Sequence, residues 1–110
     1  MGNLSVIWED SALKLLEARD RYTRNTIREE FRRDPELNAI AMDETDTSFL
    51  TPVSESRFSV IWHRNDDGQA VVRAVVPLTN LDQLKKMARP KMKAYVGKVI
   101  KDESKGEITL

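Results

Sequence analysis

The chain predicts an α+β fold, and three observations point to it. Arg57 to Arg64 alternates with a period of two, Asn65 to Gly68 carries turn residues, and Gln69 to Val76 returns as a β-branched run, so this stretch reads as a hairpin. Ahead of it, a short apolar run leads into a segment with helical periodicity. Behind it, a basic segment again spaces its apolar residues as a helix does. The expected architecture is an N-terminal strand, a helical pair, an antiparallel sheet built on a hairpin over residues 57–77, and a basic C-terminal helix.

Each element has its own warrant. Leu4 to Trp8 would place Leu4, Val6 and Trp8 on one face of a strand. Asp10 or Ser11 can then cap a helix that buries Ala12, Leu15 and Leu16 against the sheet, with Leu13 and the stem of Arg19 widening the stripe. From Asp20 the apolar pattern thins to Tyr22, Ile27 and Phe31, while Arg21, Arg24, Arg28, Arg32 and Arg33 alternate with Glu29 and Glu30. A second helix after a break near Asp20 is favoured over one long helix, although no Gly or Pro interrupts residues 11–33. Pro35 ends it, because the residue before a proline is pushed out of the helical region.

Glu36 to Thr47, with the acidic cluster Asp43, Glu44 and Asp46, reads as a connecting loop. Phe49 to Val53 reads as a short strand whose Pro52 lacks an amide hydrogen and belongs at an edge or a bulge. After the hairpin, Thr79 or Asn80 caps a helix, Asn80 and Gln83 standing at capping-box spacing. Leu81, Leu84 and Met87 or Ala88 form its apolar side. Pro90 kinks or restarts it, and Met92, Tyr95, Val96, Val99 and Ile100 carry it to about Lys101. Residues 102–110 are a frayed tail or a short strand.

The hairpin sorts its own side chains. A two-residue turn at Asp67-Gly68 and a four-residue loop from Asn65 to Gly68 give the same facing, since their registers differ by an even number. Phe58, Val60, Trp62, Val71, Arg73 and Val75 then share one face, and Arg57, Ser59, Ile61, His63, Ala70, Val72, Ala74 and Val76 the other. The bulky face should pack on helices. The Arg57/His63 face should stay at least partly open to solvent, and a site on the sheet is expected there. Arg73 is read as structural, passing Trp62 or pairing with an acidic helix residue.

Composition narrows the chemistry. With 110 residues and 40% apolar content, the chain supports one core, so residues 1–110 are read as a single domain, with a core over 1–80 and a basic helical extension over 81–110. It has no cysteine and one histidine, which excludes disulfides, a thiol nucleophile, thiolate zinc sites and a multi-histidine centre within one chain. Neither a metal nor another cofactor is expected. No apolar run approaches a membrane span and no leader pattern opens the chain, so a cytoplasmic location away from membranes is expected. Val6 stands where a myristoylation site wants Ser or Thr.

Net charge is zero because unequal parts cancel: residues 1–80 carry 10 basic and 14 acidic side chains, and residues 81–110 carry 8 and 4. A basic C-terminal helix suits an anionic partner, and it equally suits a solvated outer face. Its apolar stripe is expected to dock on the chain's own sheet rather than in a partner's groove. Arg57 sits at the strand end beside Val76, Leu78 and the start of this helix. Thr79, Lys85, Lys86 and Arg89 can join it there as an anion-binding or nucleic-acid-binding corner, with Glu55 the nearby carboxylate. His63 lies six residues along the same strand, about 20 Å from Arg57 at the usual rise, so the two cannot share one phosphate.

The order of elements, carried by VIWEDSALKLLEARDRYTRNTIREEF early and RFSVIWHRNDDGQAVVRAVVPL late, resembles the RelE/ParE toxin superfamily over about residues 4–78. Val6, Trp8, Ala12 and Leu13 fit its opening motif; Arg57, Val60, Trp62, Asp67 and Val71 to Val76 fit its hairpin. The resemblance implies a toxin-like component of a toxin-antitoxin module, with an antitoxin protein as partner. It is either a ribosome-dependent mRNA interferase acting on RNA or a non-nucleolytic relative of the kind that inhibits gyrase. In the first case Arg57, where such enzymes place a phosphate-binding arginine, and Glu55 are the candidate catalytic residues. Nuclease members carry Arg, His or Tyr after the last strand, where this chain has Pro77, Leu78 and Thr79. A key acid or base is then missing, and the sequence is compatible with the non-nucleolytic members, which do not need it. A different class also fits: a non-enzymatic α+β binding domain that contacts an acidic protein or nucleic acid through its basic C-terminal helix.

Overall fold

The computed structural model describes residues 5–42, 47–53, 57–77 and 81–108, apart from the side chains of Leu81 and residues 104–108. Leu4, the cluster Asp43/Glu44/Asp46, Glu55, Thr79 and Asn80 lie outside the described residues. The described elements run β1 (Val6–Trp8), α1 (Asp10–Glu17), α2 (Arg21–Arg33), β2 (Ile40–Ala41), β3 (Ser48–Val53), β4 (Phe58–Arg64), β5 (Ala70–Val76), α3 (Leu81–Lys86) and α4 (Arg89–Ile108). The strands form one sheet in the order β1-β5-β4-β3-β2, with β1 parallel to β5 and the other pairs antiparallel. This is the α+β class expected, with the hairpin at its centre.

The helical region does break at Asp20. Asp20 is the N-cap of α2, its carboxylate accepting from the Thr23 hydroxyl and the Thr23 N–H. At the start of α1, Glu9 rather than Asp10 or Ser11 holds the cap position, and no side chain caps it. Past the end of β1 the chain stays on the edge of β5: the Glu9 N–H donates to Val72 C=O at 3.1 Å, and the Ser11 hydroxyl reaches Arg73 C=O at a long 3.4 Å. α1 therefore takes over from β1 along that edge. Residues 36–47 are more than a loop, because Ile40 and Ala41 pair with Leu50 and Phe49. β2 reaches no further, which leaves Pro52 on an unpaired edge where its missing amide costs nothing.

The β4–β5 turn corrects the expected facing. The Asn65 N–H donates to Gln69 C=O and the Gly68 N–H to Asn65 C=O, both at 3.0 Å, so the loop has three residues with Gly68 at φ 77°. An odd loop shifts the register by one. Arg64 pairs with Ala70 and Trp62 with Val72, until a bulge at Arg73 restores Ile61 opposite Ala74 and Val60 opposite Val75. Ala70 and Val72 thus join Val60, Trp62 and Val75, while Val71 and Arg73 leave that set. Arg73 is exposed on the bulge, 3.8 Å from Glu9, an ion pair of the weak surface kind.

Both faces of the sheet are covered. On one, Val60, Trp62, Val72 and Val75 pack with Ala12 and Leu16 of α1 and Ile27 and Phe31 of α2. At its centre Trp62 is fully buried, stacked on Phe49 and edge-on to Phe31, which is edge-on to Trp8. The Trp62 Nε1–H donates to Thr51 Oγ1 at 2.8 Å, and the Thr51 hydroxyl donates to Pro35 C=O, tying the end of α2 to β3 and β4.

The second face, expected to be partly open, carries Leu50, Ile61, Ala74 and Val76 against Leu84 of α3 and Met92 and Val96 of α4. The C-terminal helix docks on its own sheet, as its apolar stripe predicts. Pro90 restarts the helix, which runs to Ile108 rather than to a tail from residue 102. Arg19 helps to hold it there, with a guanidinium 2.5 Å from Glu103 and 4.6 Å above the Phe58 ring.

Candidate functional site

Arg57 is not a strand residue on an open face. It is the exposed last residue of the β3–β4 connection, in the left-handed region at φ 64°. A side chain with a Cβ pays for that conformation, so Arg57→Gly should be neutral or stabilising by up to about 1 kcal/mol, and less favourable as Arg57→Ala. Urea unfolding of the two variants checks it. Because glycine suits the turn, the same variant removes the guanidinium without disturbing the fold.

The sheet register places one member of the predicted corner. Ser59 pairs with Val76, so Arg57 stands at the end where β5 leaves towards α3. Lys85 and Lys86 are exposed on the last turn of α3, and Arg89 is exposed at the start of α4. Glu55 and Thr79 belong to this corner by sequence and lie outside the described residues. His63 is at the other end, opposite Ser48 and Val71, half-buried with its Nδ1 buried and unbonded. Strand geometry separates it from Arg57 as expected. Among the described residues no cluster of three His, Asp or Glu side chains could hold a metal ion, and no helix is long and apolar enough to cross a membrane.

The basic residues of α4 split cleanly from its apolar ones. Met92 and Val96 are buried, whereas Lys91, Lys93, Lys98 and Lys101 are exposed, with Tyr95 partly so. Beneath this helix Glu9, Ser48, Arg73 and Lys93 rim a cleft of about 400 Å³ with Met42, Ile61, Val96 and Ile100 as its apolar floor.

A second surface was not anticipated as a site. Arg21, Arg24, Arg28 and Arg32 follow one another along α2 at spacings of three, four and four, and among the described residues none of them has an ion-pair or hydrogen-bond partner. Neighbouring like charges at this spacing destabilise a helix by roughly 0.2–0.5 kcal/mol per pair. Arg28 and Arg32, with Asn25 and Glu29, form one wall of a groove of about 690 Å³ whose other side is Ser5, Val6 and Trp8 at the β1 edge, with Leu13. The spacing of the arginines was legible in the sequence; the edge beside them was not.

Asp20 anchors this same helix. Its carboxyl is held below the ordinary aspartate range first by the Thr23 hydroxyl, with backbone N–H groups of the first turn adding to the effect against some desolvation. A lowered folded-state pKa stabilises fully above the unfolded value and fades as pH falls through the folded one. Asp20→Ala should therefore lower Tm at neutral pH, and the difference from the parent should close in acid below the normal aspartate range. Thermal melts of both proteins across that range check it.

No known family model matches the chain, and no curated protein matches it.

Proposed function

We propose that the chain is the toxin-like component of a toxin-antitoxin pair and that it acts by binding its target rather than by cutting RNA. The observation that supports this reading is the order of elements and their pairing: a short strand, a helical pair, and a central hairpin whose second strand takes the first strand in parallel. The resemblance leads one to expect that order. The non-nucleolytic branch draws on three further points. The sheet face opposite α1 and α2 is filled by α3 and α4, Arg57 and His63 stand at opposite ends of β4, and Pro77 follows the last strand. Induced expression in bacteria should arrest growth, and co-expression of a small neighbouring reading frame should relieve the arrest. Purified protein with ribosomes should leave messenger RNA intact. Harmless high-level expression would remove the toxin reading, and cleavage lost in Arg57→Gly would restore the nuclease branch.

The exposed lysines of α4 favour a second reading, a non-enzymatic binding domain for an acidic protein or nucleic acid. It expects harmless expression together with binding that weakens when Lys91, Lys93, Lys98 and Lys101 are replaced by glutamine.

A further inference from the structure

We infer that the groove between β1 and α2 takes an extended acidic segment of a partner protein, which adds to the sheet as a sixth strand. Two independent features converge there. The first is main-chain chemistry at the edge. Ala70 N–H donates to Ser5 C=O at 2.8 Å and Glu9 N–H to Val72 C=O at 3.1 Å, so in this parallel ladder Ser5, Ile7 and Glu9 point their hydrogen-bonding groups towards β5. Val6 and Trp8 point theirs the other way. No described strand pairs with that side, and β1 carries neither the lysine nor the proline that usually blunts a sheet edge. Unpaired N–H and C=O groups at strand spacing are what an added strand binds.

The second feature is charge. Arg28 and Arg32 overhang the same edge, unpaired among the described residues, and Arg21 and Arg24 continue their line along α2. Among the described residues Glu29 is the one acidic side chain lining the groove. Carboxylates meet guanidinium groups with paired hydrogen bonds, which makes an acidic occupant the complementary one. The two faces of the added strand then differ. Val6 and Trp8 turn their side chains to the α2 side and the core there, while Ile7, 40% exposed, lies on the opposite face. A strand paired with β1 would set acidic side chains under the arginines and apolar ones beside Ile7, so the occupant alternates acidic and apolar residues. A nucleic acid would satisfy the arginines but not the strand edge.

The inference does not depend on the toxin reading, and it is tested by binding alone. The probe is a fluorescein-labelled heptapeptide of alternating glutamate and valine, followed by anisotropy at low and moderate salt. Three comparisons are made on the full chain, with circular dichroism to establish that each variant is folded. Replacing Arg28 and Arg32 together by glutamate should weaken binding at least tenfold. Methylating alternate backbone nitrogens of the peptide should do the same, with the protein unchanged. A lysine-valine peptide should not bind. Backbone amides of Val6 and Trp8 should gain protection from hydrogen exchange in the complex. Equal binding of the methylated peptide would overturn the strand-addition inference. Tighter binding of a 20-nucleotide single-stranded RNA that competes with the peptide would overturn the choice of occupant.

Discussion

Trp62→Ala should remove a large share of the protein's stability, because truncating a fully buried tryptophan costs about 3–5 kcal/mol and a domain of this size has about 5–15 kcal/mol in hand. Three separate losses add in that one substitution. The cavity opens between Phe49, stacked at 4.7 Å, and Phe31, edge-on at 5.9 Å, so both rings lose their packing partner. Thr51 loses the donor that its oxygen accepts from, while still held to Pro35 C=O. Arg64, whose guanidinium lies 6.0 Å from the Trp62 ring and 5.7 Å from Phe49, loses part of its stacking surface. Trp62→Phe separates the terms in part, since it keeps a six-membered ring between Phe49 and Phe31 and loses the indole N–H with the rest of the five-membered ring. It should cost less than the alanine variant by about 2 kcal/mol, and adding Thr51→Val should cost more again, because the Pro35 C=O then loses the hydroxyl that donates to it. Urea unfolding of the parent, Trp62→Phe, Thr51→Val and the double variant, read as a double-mutant cycle, tests this; a Trp62→Phe variant as stable as the parent would show that the hydrogen bond contributes nothing net.

The tryptophan was placed correctly by its period-two neighbours, and the limits of that pattern show why other side chains were not. Period two assigns Phe58, Val60 and Trp62 to one face because β4 is regular from end to end. β5 is not. Its facing depends on whether the loop has an odd or even number of residues and on a bulge at Arg73, and each of these changes the answer by one register step. Val71 and Val72 are both valines, so nothing in their identity tells which one faces Trp62. Asn65 is the residue that holds the signal, with Oδ1 accepting from Asp67 N–H at 3.1 Å and Gln69 N–H at 2.8 Å. Asn-Asp-Asp-Gly is compatible with two-, three- and four-residue loops alike.

The candidate site followed from the same reasoning and was corrected by the same kind of contact. Strand alternation assigns Arg57 to an open face, whereas its left-handed conformation puts it in the turn before β4 begins. Local periodicity cannot see a left-handed residue that is not glycine. Nor can it see what covers a face. The apolar stripe of Leu84, Met92 and Val96 was visible, but which surface it meets is a long-range matter, and that surface is the face on which a site had been expected. The arginine line of α2 was visible as charge alternating with Glu29 and Glu30, and its meaning changed once β1 was found to end the sheet beside it.

The second large effect concerns that cover. Val96 is 2% exposed among Ile61, Ala74, Val76, Leu84 and Met92, so Val96→Asp places a carboxylate in an apolar cluster, the cations Arg73 and Lys93 standing only at the rim of the adjoining cleft. Two outcomes are distinguishable. If residues 81–108 were an appendage, the sheet would keep its stability and only helical signal would be lost. The packing argues otherwise, because β4 and β5 are shared: Val60 and Val75 face α1 and α2 while Ile61 and Ala74, adjacent on the same backbones, face α4. Arg19 adds a second link, binding Glu103 while covering Phe58 of the first core. Freeing α4 therefore strips one side of the central pair and exposes Leu50, Ile61 and Val76 to water. Val96→Asp should cost about 3–5 kcal/mol by the usual scale for an uncompensated buried charge. Val96→Ala should cost less and Leu84→Ala about 2–5 kcal/mol. In each case far-ultraviolet ellipticity and tryptophan fluorescence, from Trp8 and Trp62 of the first core, should be lost in a single shared transition. Two separated transitions, with the fluorescence midpoint unmoved from the parent, would mean that α3 and α4 can leave the sheet intact. The covered face would then be one that a partner or an RNA can reach, and the preference for a binding protein over a nuclease would lose its structural support.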